Sequence, residues 1–283
     1  MKVGQEDIAV CFVSNRGYFQ HFYAALASFL DNNPGGHEVF LFNEDIPDSA
    51  FATLNDWVKS RSPESEVFDV KLDTSVLPEF TGYWEKLGKQ VFHRLLIPDE
   101  LPKRFNYALY VDADIIFYQP FAIDPAALEG HTITAIRDSI SDILSPKRDL
   151  EKYFNAGIMF INIQAWKAKD SLARLLNHTP KKTLFAEQEL LNEVFAGDWY
   201  ELDQKFNYPS IHIKKQRGTY VMKNGDVPVN IHFLGGVKPW RYWVPGSALY
   251  WQYVARTPFR RKTRSIPQTM LKSFVHLLRK RFN

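Results

Sequence analysis

At 283 residues, 45% hydrophobic and 24% charged, the chain has material for one large soluble core or two small ones. No apolar run approaches the roughly 18 residues that cross a bilayer, and Met1 to Asp7 lacks the apolar core of a signal peptide, so the sequence reads as cytosolic. The single Cys11 excludes an internal disulfide, and the net charge of +3 is unevenly spread. Residues 227–283 hold eleven Lys or Arg and no Asp or Glu, which leaves −8 on the first 226. An acidic body with a basic end calls for an anionic partner.

In chain order, Ile8–Val13 reads as a buried strand stopped by Ser14-Asn15-Arg16-Gly17. Phe19–Leu30 has helical spacing, Glu38–Phe42 and Val67–Val70 read as strands, and a helix lies around Ser49–Ser60. This alternation predicts a mostly parallel sheet covered on both faces. Glu85–Leu96 is predicted helical, with Arg94 sharing a face with Leu87 and Gln90, which by itself also fits a solvated face. The apolar run from Tyr107 then enters Asp112-Ala113-Asp114-Ile-Ile-Phe117. In an extended strand, carboxylates at i and i+2 share one face. At the carboxyl end of a central strand such a pair can hold a divalent cation against nucleotide phosphates. The same spacing also fits a solvated strand end that caps a turn.

Thr132–Ile136 and Gly157–Ile163 are predicted strands, and helices are predicted over Trp166–Asn177 and Glu187–Phe195. Phe154-Asn155-Ala156-Gly157 fits a structural turn or a substrate contact. Glu187 and Gln188 open a helix, where an acid ordinarily complements the dipole. His232, in the strand Val229–Leu234, fits either a hydrogen-bonded core histidine or a ligand. The Gly235-Gly236 loop behind it reaches Lys238, a backbone and a point charge suited to an anion. An imidazole with two carboxylates tilts a cation site from Mg²⁺ towards Mn²⁺. Tyr83, Trp84, Trp199, Trp240, Trp243 and Trp251 read as core or rim, some of them able to stack on a sugar face. The one natural boundary lies near Thr257-Pro258, giving a body of residues 1–257 and a tail of residues 258–283. In the tail, Met270, Leu271, Phe274, Leu277 and Leu278 form an apolar helical stripe beside Lys272, Arg279, Lys280 and Arg281. That pattern fits a helix on an anionic membrane surface, or one packed on the body. No Gly-rich phosphate loop, paired-cysteine zinc spacing, nucleophile elbow or nucleic-acid motif is present.

Six blocks together resemble glycosyltransferase family 8, which includes glycogenin and the bacterial lipopolysaccharide galactosyl- and glucosyltransferases. They are Val13-Ser14-Asn15 through Tyr18, His93-Arg94 through Pro102, Leu109 through Ile115, Tyr153 through Gly157 with Ile161–Trp166, Glu187-Gln188 with Leu-Leu-Asn192, and His232–Gly235 through Lys238-Pro-Trp240. The resemblance implies a GT-A α/β fold and a retaining transfer of glucose or galactose from a UDP-sugar to a glycan or glycolipid acceptor. A lipopolysaccharide core at the cytoplasmic face of the inner membrane would suit the basic tail. It also implies Asp112, Asp114 and His232 as Mn²⁺ ligands, with Mg²⁺ as the alternative. Ser14, Asn15 and Tyr18 would contact uracil and ribose, while Ala113, Gly235 and Lys238 would line the UDP. Arg94, Asp138, Asn155, Glu187 and Gln188 would surround the donor sugar. Two positions depart from the family: Glu187 replaces the usual Asp, and His93 stands where a small or aromatic residue is usual. A self-glucosylating glycogenin-like protein, a non-catalytic sugar-nucleotide or glycan-binding module, and a nucleotidyltransferase are the competing readings.

Overall fold

Apolar runs rich in Val, Ile and Phe alternate with amphipathic helices, and in the computed structural model they build a layered α/β arrangement. The structure describes residues 7–77, 89–139, 152–178, 187–236 and 238–273. The described strands are β1 (Ile8–Val13), β2 (Glu38–Asn43), β3 (Glu66–Lys71), β4 (Tyr107–Val111), β5 (Ile115–Phe117), β6 (Ile133–Arg137), β7 (Phe154–Asn162), β8 (Trp199–Leu202), β9 (Tyr208–Pro209), β10 (Lys214–Gln216), β11 (Thr219–Val221) and β12 (Asn230–His232). The α-helices are α1 (Phe19–Asn32), α2 (Asp48–Lys59), α3 (Ile97–Glu100), α4 (Ile163–Ala168), α5 (Ser171–Leu176), α6 (Glu187–Val194) and α7 (Ser247–Val254).

The chain divides into two compact units that interleave along the sequence. The first comprises Met1–Arg16, Gly35–Val111 and Ala122–Asp203; the second comprises Gly17–Pro34, Asp112–Phe121 and Gln204–Asn283. The first is built on a seven-stranded sheet of order β3-β2-β1-β4-β7-β6-β8. Its β3–β2, β2–β1, β1–β4 and β6–β8 pairs are parallel, while β7 runs antiparallel to β4 and β6. The sheet is therefore mostly parallel, as the alternation predicts. The strand order turns back at β1, and open α/β sheets place their ligand crevice outside the carboxyl end of a strand at such a point. Phe40, Phe42, Tyr110, Phe154, Met159, Trp166, Leu191 and Phe195 lie in the core of this unit.

The second unit has a three-stranded sheet of order β5-β12-β9 and a β10–β11 hairpin. Its helix α1 is buried from His21 to Leu30, as befits a helix apolar nearly all round. Phe29 of α1 meets Phe117 of β5 at 5.2 Å, and Asn32 donates to the Tyr253 hydroxyl of α7 at 3.0 Å.

Three expectations are corrected. The single helix predicted over Trp166–Asn177 is two, α4 and α5, because Asp170 takes a left-handed φ of 50° between them. The segment before Leu96 is a 3-10 helix over Lys89–Leu95; the rest of the predicted Glu85–Leu96 helix, with Leu87, and also Tyr83 and Trp84, lie outside the described residues. The strand from Tyr107 ends at the carboxylates as predicted, but the pair is not on extended backbone: the chain breaks there, the Asp112 carbonyl accepting a hydrogen bond from the Ile115 N–H at 3.2 Å.

Candidate active site

In the second unit, that break brings the two carboxylates together. Asp112, Ala113 and Asp114 form a turn rather than one face of an extended strand, and β5 starts directly after it. The antiparallel register of β12 on β5 sets His232 opposite Ile115, and the Phe233 N–H donates to the Asp114 carbonyl at 3.1 Å. His232 Nε2 thereby lies 3.3 Å from Asp114 Oδ1 and 3.8 Å from Asp112 Oδ2. Its Nδ1 is 2.8 Å from the side-chain carbonyl of Asn207, an acceptor, so Nδ1 carries the proton and Nε2 presents its lone pair to the carboxylates. Acceptor atoms of Asp112, Asp114 and His232 all fall within 4.8 Å of one another. Three lone-pair donors converging on one point repel unless a cation sits among them, and this O,O,N set fits a divalent ion.

Lys238 supplies a positive charge at the same place. Its ammonium is bound to the Asp114 carboxylate and donates to the Phe233 carbonyl at 2.6 Å. Burial pushes the Asp114 carboxyl up, but the Lys238 ammonium bound to it outweighs that and holds the group well below the usual carboxylate range. Burial likewise opposes the charge on Lys238, and Asp114 overcomes it, raising the ammonium above its ordinary value. Gly235 has a φ of 69°, a left-handed conformation costly for any side chain, and a Cβ there would meet nothing within 4 Å.

Tyr18 precedes α1, is 39% exposed, and sets its ring edge against Trp240 at 5.7 Å. Sequence reasoning missed what holds Trp240. His21 stacks on it at 3.6 Å and 14°, with Nδ1 2.6 Å from the Tyr250 hydroxyl. Burial, reinforced by Lys238, Lys262 and Arg241 and opposed by Asp114, pushes His21 down to about 3, so it is neutral through the physiological range. The signal was faint: His21 and Tyr250 are 229 residues apart, and no spacing rule joins them.

In the first unit, the ends of the strands gather the remaining candidates. Ser14 and Asn15 follow β1 at the switch in strand order. Ser14 is buried, its N–H donates to Phe42 at 3.1 Å, and its hydroxyl donates to the Asn15 carbonyl at 3.2 Å. The next residue, Arg16, is tied by its N–H to Asp45 at 2.9 Å. An irregularity in the β6–β7 register, where Ala135 faces Met159 but Ile136 faces Asn155, bulges Ala156 to Ile158 out of the ladder.

The bulge supports a closed polar network. Gln188 Oε1 accepts from the Ala156 N–H at 2.9 Å and from the Asn155 amide at 3.2 Å, and Gln188 Nε2 donates to Asp138 at 2.9 Å. Arg94 donates to the Ala156 carbonyl at 2.7 Å, pairs with Glu187 at 3.4 Å, and lies over the Tyr110 ring at 4.6 Å. Arg94, Asp138, Asn155, Glu187 and Gln188 are all buried and all brought together. Of the two readings of Arg94 the solvated one does not hold, since a guanidinium with a carboxylate, a carbonyl and a ring face replaces its lost water. Sequence reasoning also passed over Asn192 as a site residue. One turn after Gln188, it accepts from the Phe154 N–H at 2.7 Å and donates to the Phe154 carbonyl at 2.9 Å, clamping α6 to β7. His93 is buried with Nε2 3.4 Å from Glu44.

Comparison with known proteins gives this geometry a context. The family model described as Glycosyl transferase family 8 matches residues 9–244. The chain is 31% identical over 214 residues to glycosyltransferase GlyB of Streptococcus pneumoniae, covering 72% of this chain and 50% of that protein. It is 29% identical to GlyA of the same organism, over 83% of this chain and 33% of that one. It thus spans half or less of these two relatives. The lipopolysaccharide 1,2-glucosyltransferase of Escherichia coli is 25% identical, over 77% of this chain and 69% of that protein. Among solved structures, the bifunctional glycosyltransferase WbbM aligns with a TM-score of 0.71 at 16% identity, over 94% of this chain and 52% of that one. The galactosyltransferase LgtC, solved with donor and acceptor sugar analogs, aligns with a TM-score of 0.66 at 17% identity, over 90% and 99%. At such identities the structural likeness shows the fold, which is GT-A.

Proposed function

Because the chain belongs to glycosyl transferase family 8, we propose that it moves glucose or galactose from a UDP-sugar to a glycan acceptor with retention at the anomeric carbon. The observation that carries this reading is the convergence of Asp112, Asp114 and His232 beside Lys238. Asp112, Asp114 and His232 Nε2 would hold a divalent cation, Mn²⁺ on this donor set with Mg²⁺ as the alternative, whose chemistry is to stabilise negative charge on a departing diphosphate. Lys238 adds a point charge for the same phosphates, and Ala113 and Gly235 offer backbone that an anion can approach closely. The half-exposed Tyr18 ring suits a flat base, with Ser14 and Asn15 as the further uridine contacts. Arg94, Asp138, Asn155, Glu187 and Gln188 form the polar wall for the donor sugar.

Retention requires a covalent intermediate or attack from the leaving-group face. The Gln188 carbonyl oxygen already accepts two hydrogen bonds, which occupies the lone pairs a nucleophile would need. Same-face attack is the mechanism this favours: the bond from the anomeric carbon to the β-phosphate oxygen breaks with its electron pair leaving on UDP, the acceptor oxygen bonds to that carbon on the same face, and the acceptor proton passes to the β-phosphate.

A panel of UDP-sugars incubated with and without Mn²⁺, in the absence of acceptor, tests the reading. One UDP-hexose is expected to release UDP slowly and only with the cation. No turnover of any donor, together with no calorimetric binding of UDP in Mn²⁺, would sink it.

A surface glycan acceptor is supported by the lipopolysaccharide glucosyltransferase among the relatives and by the basic end of the chain. No helix among the described residues is long and apolar enough to cross a membrane. In the helical segment 266–273, Thr269 is buried and the Ser273 hydroxyl accepts the Trp243 N–H, while Met270 and Leu271 are 45% and 64% exposed. These two residues of the apolar stripe face away from the body, as a membrane-lying helix requires; Phe274 and beyond lie outside the described residues. The reading places the enzyme peripherally on the cytoplasmic face of the inner membrane. Deleting residues 258–283 is expected to release the protein from anionic vesicles, and unchanged binding would move the contact elsewhere.

A further inference from the structure

The charge of the chain follows its division into units. The second unit holds sixteen Lys or Arg against four Asp, for +12, which leaves −9 on the first. Asp112 and Asp114 belong to the cation site, Asp31 is bridged to Arg256 at 2.8 Å, and Asp226 accepts from Asn224. The tail does not account for all of this excess, because Lys214, Lys215, Arg217 and Lys223 are exposed on and just beyond the β10–β11 hairpin. Lys238 and Arg256 in this unit are each bound to an aspartate. Among the described residues no carboxylate lies within ion-pair distance of the four hairpin cations.

The hairpin is firmly built. Gln216 pairs with Thr219 across a two-residue turn in which Arg217 and Gly218 have φ of 48° and 89°. Positive φ at both central positions is the compact type I′ geometry that keeps strand twist continuous through the turn. Its base is tied to the strands of the cation site. Pro209 of β9 lies opposite His232, and one turn over Ser210–His212 separates β9 from the hairpin. On the return, the Lys223 N–H donates to the Tyr208 hydroxyl of β9 at 2.9 Å. The Tyr220 N–H donates at 3.4 Å to the hydroxyl of Tyr118, the residue after β5, and the two rings meet edge to face at 5.6 Å.

We propose that this hairpin binds the acceptor, and that the acceptor is an anionic glycan carrying phosphate or carboxylate groups. The inference rests on the transferase reading and adds the acceptor's chemistry to it. Cations with no carboxylate partner, Lys215 held over the Tyr220 ring at 5.4 Å, stand on a ribbon fixed to β12, which carries His232, and to the residue after β5, and so hold an anion at a set distance from the cation site. A lipid surface fits less well, because Lys214 to Thr219 offers no apolar side chain to enter a bilayer.

The test uses core oligosaccharide released from lipopolysaccharide by mild acid, with its phosphates intact or removed by phosphatase. Each form is titrated calorimetrically into the full chain with UDP and Mn²⁺. The phosphorylated form is expected to bind about 10- to 100-fold tighter, the range of one charge-assisted hydrogen bond. The triple variant K214Q/K215Q/R217Q is expected to lose that preference, with binding of the dephosphorylated form and donor hydrolysis unchanged. Equal affinity of the wild type for the two forms, or binding of neither, overturns the proposal. So does a variant that keeps the phosphate preference but leaves anionic vesicles, which would assign the hairpin to lipid headgroups. Absence of donor hydrolysis in the wild type would instead fail the transferase reading, and the titration still decides the hairpin.

Discussion

Replacing Asp112 with asparagine is expected to lower transfer, or donor hydrolysis, on the order of a thousandfold and to abolish its response to Mn²⁺ while the fold stays intact. The magnitude follows from losing several kcal/mol of electrostatic stabilisation of the leaving group. The fold survives because the Asp112 side chain is 24% exposed, and asparagine keeps its shape. Asp114→Asn removes the same function and something more. Its carboxylate is bound by the buried Lys238 ammonium, so the variant leaves a cation in a dry place without its counter-charge. A further loss of about 1–3 kcal/mol in unfolding free energy is expected there and not in Asp112→Asn. Mn²⁺ titration of UDP release and urea denaturation of both variants check this pair of outcomes. Full activity without a metal response in Asp112→Asn would reject the cation site.

The second large effect belongs to Arg94. Arg94→Ala strands the buried Glu187 carboxylate, uncovers the Tyr110 face and leaves the Ala156 carbonyl without its guanidinium donor. Truncating one partner of a buried pair costs about 3–5 kcal/mol, because the other charge remains desolvated. In a chain of this size that corresponds to a melting temperature lower by about 10 °C. Arg94→Ala combined with Glu187→Gln is expected to recover part of the loss, since no charge is then left unpaired. Differential scanning calorimetry of the two singles and the double decides it. A single variant within about 1 kcal/mol of wild type, close to what an ordinary point substitution costs, would mean that the ion pair contributes little.

Much of the first unit was legible because its strands are continuous apolar runs closed by turn residues, as at Val13 before Ser14-Asn15. The Asp112 and Asp114 carboxylates were legible as a pair at a strand end, but not in their geometry. The i, i+2 spacing suggests extended backbone at the pair, but the Asp112–Ile115 hydrogen bond bends the chain so that both carboxylates meet His232. The break at Asp170 was hidden because no glycine or proline marks it and the apolar spacing of Trp166, Leu172, Leu175 and Leu176 runs straight through. The burial of Arg94 was hidden for a different reason. A guanidinium defaults to solvent, and the Glu187 that retains it lies far along the chain. Side chains whose environment comes from distant segments carry no local period to read.

The interleaving of the two units has a consequence for how the protein is made. Helix α1 is apolar nearly all round and ends at Asn32, yet the α7 residues that bind it, Tyr250 and Tyr253, and the Arg256 just beyond, come more than 200 residues later. At translation rates of about 5–20 residues per second, that interval lasts roughly 10–40 s. Throughout it the nascent chain carries a helix whose covering helix has not yet been synthesised, so a ribosome-associated holdase has a defined client segment in residues 19–32, and a pause in synthesis before Ser247 prolongs its exposure.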